Sequence, residues 1–384
     1  MKRFRKFVFW CHLILGMFCG GILGIMAFTG AMLVFEPQIL TWADHDASRI
    51  VISEGASTMD LSDLILRAHS SVGKGDPSSI SVINDSNTAV TVNFGKKKSV
   101  YVNPYTGEVR KGNSDRWMPF FRQMAFWHRQ LGIKKGPLGF SLVKIATVLL
   151  AVLCLSGLFL WFPHKLRWRA LKPIIVPCLH IKGRARYWSW HNVAGIWTLP
   201  FVIAMTWSGL VLSFHGLQRW LYTPSSPVLL VASSDSKKVS PDFCLEVAKK
   251  IIPDWESISI NFSSGKKKRG VEPQSPQPSA FTVKIQEKGW WHILPVEILL
   301  NPYNGDVISV RRISDMSFGE ALYRLNMSFH RGDFLGLFGQ TMNFFSCWAL
   351  ILLVLTGYIL VCKRFVFFAK NTLWGKDEKE VANG

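Results

Sequence analysis

The chain has 384 residues, 49% of them hydrophobic, which exceeds one ordinary soluble domain. Its formal net charge is +20, but the basic residues follow the apolar runs instead of forming one stripe, so nucleic-acid binding is not the expected function. The seven cysteines give no disulfide framework, no Cys-x-x-Cys-His haem attachment and no zinc spacing.

The N-terminal "MKRFRK" leads into an apolar run from Phe7 to Phe35. It is too long for a signal-peptide core and lacks an Ala-x-Ala-like cleavage site, so it reads as a retained membrane anchor. A polar segment follows. "MDLSDLILRAHSSV" has helical periodicity, and "SISVIN", "TAVTVNFG" and "SVYVNP" alternate as strands. "NPYTGEV" is turn chemistry, because Pro fixes φ and Gly tolerates positive φ. "FWHR" (Phe126–Arg129) precedes a second run from Gly139 to Phe162. A basic loop, "PHKLRWRALKPIIVPCLHIKGRARYW", leads to a third run from Val193 to Phe214. The next polar segment repeats the pattern: "PDFCLEVAKKII" as helix, then "SISINF", "AFTVKIQ" and "PVEILLNP" as strands. "SSGKKKRGVEPQSPQPS" interrupts it as a loop insertion. "NPYNGDV" and "SFHR" (Ser328–Arg331) then precede a fourth run, about Phe338 to Cys362.

The landmarks recur in order. His12 is followed by Gly16 and by Thr29-Gly30; His191 is followed by Gly195 and by Ser208-Gly209, at the same offsets. Spans two and four end in Ser156-Gly157 and Thr356-Gly357. The expected fold is therefore a membrane α-helical protein: four transmembrane helices in two tandem repeats, plus two small α+β domains outside the membrane. The expected divisions are span 1 (1–36), outer domain 1 (37–127), segment and span 2 (128–163), basic loop (164–190), span 3 (191–215), outer domain 2 (216–329), segment and span 4 (330–363) and tail (364–384).

Lys and Arg number 4 before span one, 7 in the middle loop and 5 after span four; the two long connections carry 13 and 15, balanced by 10 and 12 acids. Short basic segments stay in the cytoplasm. Both termini and the middle loop are expected there, with the long connections outside and the basic excess touching the lipid bilayer.

Four histidines obey the repeat: His12 with His191, and His128 with His330. A pseudo-twofold along the membrane normal brings each pair toward the bundle axis. Two imidazoles facing across a helical bundle are the usual axial ligands of a b-type haem. The outer pair is expected in the headgroup layer. The glycine one turn after His12 and after His191 leaves room for a macrocycle. Arg129 and Arg331 follow the outer histidines and suit haem propionates or an ordinary interfacial role. His164 and His215, at span ends, are alternative ligands. His45, His69, His180 and His292 read as ordinary surface residues. A histidine at a span end also serves as an anchor, and an anchor copied with its repeat would be symmetric too, so the residues alone leave both readings open.

Taken together, "H-x3-G…TG", "NPYxG", "WHNVAGIWTLPF" and "FHRGDFLGLFGQ" resemble the PepSY-associated transmembrane proteins, which include ferrisiderophore reductases. The resemblance covers nearly the whole chain. It implies a bacterial inner-membrane protein with two periplasmic PepSY-like domains and one or two haem b groups held by bis-histidine ligation. Carried over residue by residue, the ligand candidates are His12, His128, His164, His191 and His330. It further implies an oxidoreductase that reduces a ferric siderophore, releasing Fe(II). The chain has no Gly-x-Gly-x-x-Gly nucleotide fold and no ferredoxin cysteine run, so the electron donor is expected to be a cytoplasmic reductase or a quinol. The alternative is a non-redox sensor, peptidase modulator or assembly partner whose histidines are anchors.

Overall fold

A computed structural model describes residues 2–384 except 53–54, 74, 96–97, 164–166, 179, 223–237, 263–280, 290–293 and 382–384, with side chains as far as Phe365. The chain divides into two compact units. One comprises residues 1–36, 120–218 and 326–384; the other comprises 37–119 and 219–325.

The first unit is built on four long apolar helices, of which α1 (Lys2–Leu33) is the first. Short helices α2 (Glu36–Ala43) and α3 (His45–Ser48) follow α1. Then come α4 (Leu61–Val72), strands β1 (Ser79–Ile83), β2 (Val90–Phe94), β3 (Lys98–Val102) and β4 (Val109–Lys111), and helix α5 (Met118–Gln130). α6 (Leu138–Trp161), α7 (Trp168–Ile175), α8 (Gly183–Ser213) and α9 (His215–Leu221) complete the first half. The second half runs α10 (Pro241–Ile251), β5 (Trp255–Asn261), β6 (Phe281–Glu287), β7 (Val296–Leu300), β8 (Val307–Arg311), α11 (Phe318–Arg331) and α12 (Gly336–Val381).

Four stretches are long and apolar enough to cross a membrane: Lys2–Ala43, Leu138–Trp161, Gly183–Ser213 and Asp333–Phe365. They agree with the four runs read from the sequence. α1 packs on α6 and α12, and α8 packs on the same two helices. α1 and α8 therefore stand on one diagonal of a four-helix bundle, and α6 and α12 on the other.

The second unit departs from the expectation of two separate sheets. Its eight strands form one antiparallel sheet in the order β4-β3-β2-β1-β5-β6-β7-β8. The join is β1 on β5, with Ile80 opposite Ile260 and Ser81 opposite Ser259. Left apart, β1 and β5 would each expose an unpaired edge, and mutual pairing satisfies both. The two Ser-Ile-Ser stretches thus meet each other, and the hydroxyls of Ser81 and Ser259 hydrogen-bond across the join.

One hydrophobic core serves all of it. Leu64 and Ala68 of α4, Cys244 and Ala248 of α10, and Ile80, Val92, Ile258, Val283 and Ile298 of the strands belong to a single buried cluster. Asp242 at the start of α10 ties the helices together. Its carboxylate accepts from the Leu61 and Ser62 backbone N–H groups (2.5 and 3.2 Å) and from the Ser62 hydroxyl (2.8 Å). An anion is favourable at that helix start. The two Asn-Pro-Tyr-x-Gly turns occupy equivalent places, between β3 and β4 and between β7 and β8. Gly107 and Gly305 have φ of +73° and +77°, a region that glycine enters without strain. The Asn103 and Asn301 side chains accept from the backbone N–H of Tyr105 and Tyr303 (2.9 and 3.0 Å). The loop insertion read in the second polar segment lies outside the described residues.

Candidate functional site

The four repeat-related histidines meet in two pairs inside the bundle. His12 on α1 and His191 on α8 face each other along one diagonal, with ring centres 6.4 Å apart and planes at 86°. His128 on α5 and His330 on α11 form the second pair, with ring centres 6.0 Å apart and planes at 67°.

Each ring is held by one nitrogen in the same way. His12 Nδ1 lies 2.8 Å from the Ser156 hydroxyl on α6, and His191 Nδ1 lies 3.0 Å from the Thr356 hydroxyl on α12. His128 Nδ1 lies 2.9 Å from the Met26 carbonyl and 3.2 Å from the Thr29 hydroxyl on α1. His330 Nδ1 lies 3.0 Å from the Ser208 hydroxyl on α8. All four hydroxyls donate to the carbonyl four residues earlier at 2.7 Å: Val152, Leu352, Ile25 and Ala204. Because the hydroxyl proton is committed to its own helix, the oxygen acts as acceptor and Nδ1 carries the proton. The lone pair is left on Nε2. This is how a metal-ligating histidine is oriented, with its second nitrogen donating to a fixed acceptor.

The residue after each hydroxyl is glycine, and the imidazole lies against it. A Cβ at Gly157 would stand 3.3 Å from His12 Cε1; at Gly30, 3.3 Å from His128 Cε1; at Gly209, 3.7 Å from His330 Cε1; and at Gly357, 3.8 Å from His191 Cε1. Gly16 and Gly195, expected beside the macrocycle, meet Leu153 and Leu353 at ordinary contact distance. The Ser/Thr-Gly dipeptides were legible as landmarks, but their role as histidine holders was not read from the sequence. Their fourfold recurrence at span ends was the available signal.

The second pair is carried to the spans by turns in the chain. α5 ends at Gln130, and Leu131 and Gly132 turn the chain with φ of +53° and +74°. α6 then starts afresh at Leu138, and α5 leans on α1 so that His128 reaches Met26 and Thr29. α11 ends similarly before Gly332 and Gly336, with φ of +83° and +59°. His128 and His330 are therefore level with Thr29 on α1 and Ser208 on α8. Seventeen residues of α1 separate His12 from Thr29, about 26 Å of helix.

Arg129 Nε donates to the Ala125 carbonyl at 3.2 Å, and Arg331 pairs with Asp333 at 2.9 Å. Both act electrostatically on Glu36. His215 is exposed at the start of α9 and belongs to neither pair. His164 and His292 lie outside the described residues.

The donor set can be tested against a haem. Two imidazoles coordinating one metal ion from opposite sides at about 2 Å place their ring centres about 6 Å apart. The observed 6.4 and 6.0 Å fit that requirement. Among the described residues no three His, Cys, Asp or Glu side chains converge on a point. Each pair offers two neutral imidazoles only, the complement of a macrocycle that brings its own four nitrogens.

No curated protein matches the chain. The model of one protein family does, over residues 9–364. With four helices long and apolar enough to cross a membrane and that match covering nearly its whole length, the chain belongs to the family of the PepSY-associated TM region.

Proposed function

We propose that the protein is a bacterial inner-membrane oxidoreductase that carries electrons through two b-type haems to a ferric siderophore in the periplasm. The observation that supports this most is the repeated unit of imidazole, hydroxyl and glycine at both pairs. A lipid or packing anchor has no need of a partner histidine 6 Å away or a fixed Nδ1 tautomer.

His12 and His191 would hold one haem, and His128 and His330 the other. Haem, when bound, supplies a one-electron couple that moves charge without moving protons through the bilayer. The chain's own residues do the rest. Ser156, Thr356, Thr29 and Ser208 fix each ring and raise its basicity by accepting from Nδ1. Leu23, Ala27, Ala146 and Cys19 are buried between the two layers and exclude water. One electron per ferric ion reduces Fe(III) to Fe(II), which siderophore oxygen donors hold more weakly. The donor is a cytoplasmic reductase or a quinol. The distribution of Lys and Arg supports a topology with both termini and residues 162–190 in the cytoplasm and the sheet unit in the periplasm. Alkaline-phosphatase fusions test that placement: activity after Lys172 would reverse it.

The function is tested by the absorbance spectrum of the purified protein. A Soret band that sharpens on dithionite, and is then re-oxidised by an added ferric siderophore, is the expected result. A colourless, folded protein would overturn the proposal and favour the non-redox reading.

A further inference from the structure

At the His12–His191 end of the bundle, three cations from two helices sit on aromatic faces. The Arg186 guanidinium lies 5.5 Å from the Trp190 ring centre and 5.6 Å from that of Tyr187. The Lys363 ammonium lies 5.7 Å from Tyr187. The Arg364 guanidinium lies 4.8 Å from Trp10 and 5.1 Å from Phe9. Among the described residues none of the three has a carboxylate within ion-pairing distance. Among the described residues the buried Arg186 Nε has no hydrogen-bond acceptor. Arg5, at the same end, is different: it donates to the Phe162 and Leu160 carbonyls at 2.9 and 2.6 Å and so is tied to the end of α6.

A buried guanidinium N–H without an acceptor is uncommon and calls for a partner. The geometry fixes where the partner lies. Arg186 precedes His191 by five residues on α8, about 8 Å along the helix. Lys363 and Arg364 follow Thr356, which holds His191, by seven and eight residues on α12, about 11 Å. Tyr187 is one turn before His191, and Phe9 is three residues before His12. The cations therefore ring the same side of the pair, one to two turns beyond the imidazoles, and their aromatic seats hold them there.

We propose that Arg186, Lys363 and Arg364 form the carboxylate clamp of the group held by His12 and His191, with Arg186 making its contact in the buried interior. This rests on the haem reading above. A dicarboxylate at the edge of a macrocycle matches three cations without acids. Lys182 and Arg184, which lie upstream and are exposed, are spectators.

The test uses the full-length protein in detergent, depleted of haem and reconstituted with either haem or haem dimethyl ester, whose carboxylates are blocked. Wild type should retain haem at least tenfold more tightly than the ester at the first pair, and Arg186→Gln should lose that preference. Spectroelectrochemistry of the holoprotein should show one midpoint lowered by about 59 mV in Arg186→Gln, the equivalent of a tenfold change for a one-electron couple, because a cation that favoured the ferrous form is gone. The second midpoint should stay unchanged, which also reports that the variant is folded. Arg186→Lys should recover part of the shift. Wild type that binds haem and ester equally overturns the clamp without any variant. So does an Arg186→Gln protein with unchanged midpoints that merely loses co-purified anionic phospholipid, which would make the cations lipid contacts. A wild type that binds neither compound defeats the haem reading itself, a different result from a haem protein without the clamp.

Discussion

The two histidine pairs have the same chemistry and different construction. At the first, both imidazoles project from membrane helices, and the pair is fixed by how α1 and α8 face each other across the bundle. At the second, both come from α5 and α11, separate helices that turn before re-entering as α6 and α12. The surroundings differ accordingly. The first pair is bordered by cations on aromatic rings. The second is bordered by amides that bridge helix backbones: Asn326 to the Ser208 carbonyl (3.2 Å), Gln340 to Val34 (3.3 Å) and Asn343 to His330 (3.3 Å). One histidine pair is positioned by span packing, the other by hydrogen bonds that tie added helices to the spans. What the ends share, the hydroxyl-glycine cradle, is what the imidazoles need; what they do not share is how the chain gets there.

The comparison is broken most severely by removing a ligand. His191→Ala should remove half of the haem absorbance and leave the other half intact; His330→Ala should remove the complementary half and abolish reduction of a ferric chelate. Haem quantitation by pyridine haemochrome reads both. Haem content unchanged from wild type in all four single-histidine variants would dissolve the pairing.

The cradle glycines come next. Alanine at Gly157 or Gly30 places a methyl 3.3 Å from the imidazole, whereas at Gly209 or Gly357 the distance is 3.7–3.8 Å. The first two should cost about 1–3 kcal/mol in haem retention or fold stability, the second two clearly less. A ranking that follows which end the glycine belongs to, and not the distance, would show that the cradles are not equivalent.

Removing the hydroxyls is subtler. Ser156→Ala, Thr356→Val and Ser208→Ala each delete a side-chain acceptor of a histidine N–H, worth about 1 kcal/mol, and should raise the midpoint of the corresponding haem because the ligand becomes less basic. Thr29→Val should do least, since His128 keeps the Met26 carbonyl at 2.9 Å. Redox titration of the four variants gives the order.

The smallest expected effect is a pH dependence confined to one end. Glu297 on β7 pairs with Arg324 of α11 at 2.8 Å. Burial pushes its carboxyl up, but the Arg324 hydrogen bond and the Arg324 and Lys284 charges outweigh this and hold it below the ordinary carboxylate range. A depressed folded value means that its stabilisation is complete above the unfolded value, near 4.5, and is lost as pH falls through the folded one. α11 also carries His330, six residues beyond Arg324. Acidification below that range should loosen the α11 amides before those of α8, and Glu297→Gln should remove the difference. Hydrogen exchange reads it, and identical acid responses of α8 and α11 would refute the link.

Much of this was legible in the chain. Four apolar runs, alternating strands and the paired Asn-Pro-Tyr-x-Gly turns are local signals, and local signals survive in one sequence. The histidine pairing followed from their repetition. What stayed hidden was long-range. That β1 and β5 join one sheet depends on partners 178 residues apart, such as Ser81 and Ser259, and nothing in either Ser-Ile-Ser stretch names the other. The contact of His128 with α1 depends on the turn at Leu131 and Gly132, where a non-glycine residue takes positive φ, which periodicity does not reveal. The hydroxyls of Ser156 and Thr356 resemble any span-end hydroxyl until the opposing helix is in place.

The central claim, two bis-imidazole haems with crossed ligand planes, is tested most directly by low-temperature electron paramagnetic resonance of the oxidised protein. Imidazole planes at 86° and 67°, if retained around a bound haem iron, would leave two d orbitals nearly degenerate, so orbital angular momentum would not be quenched. Two strongly anisotropic low-spin ferric signals are predicted, one lost in His191→Ala and the other in His330→Ala. A high-spin signal from a five-coordinate haem, or no haem signal from a folded protein, would contradict the account.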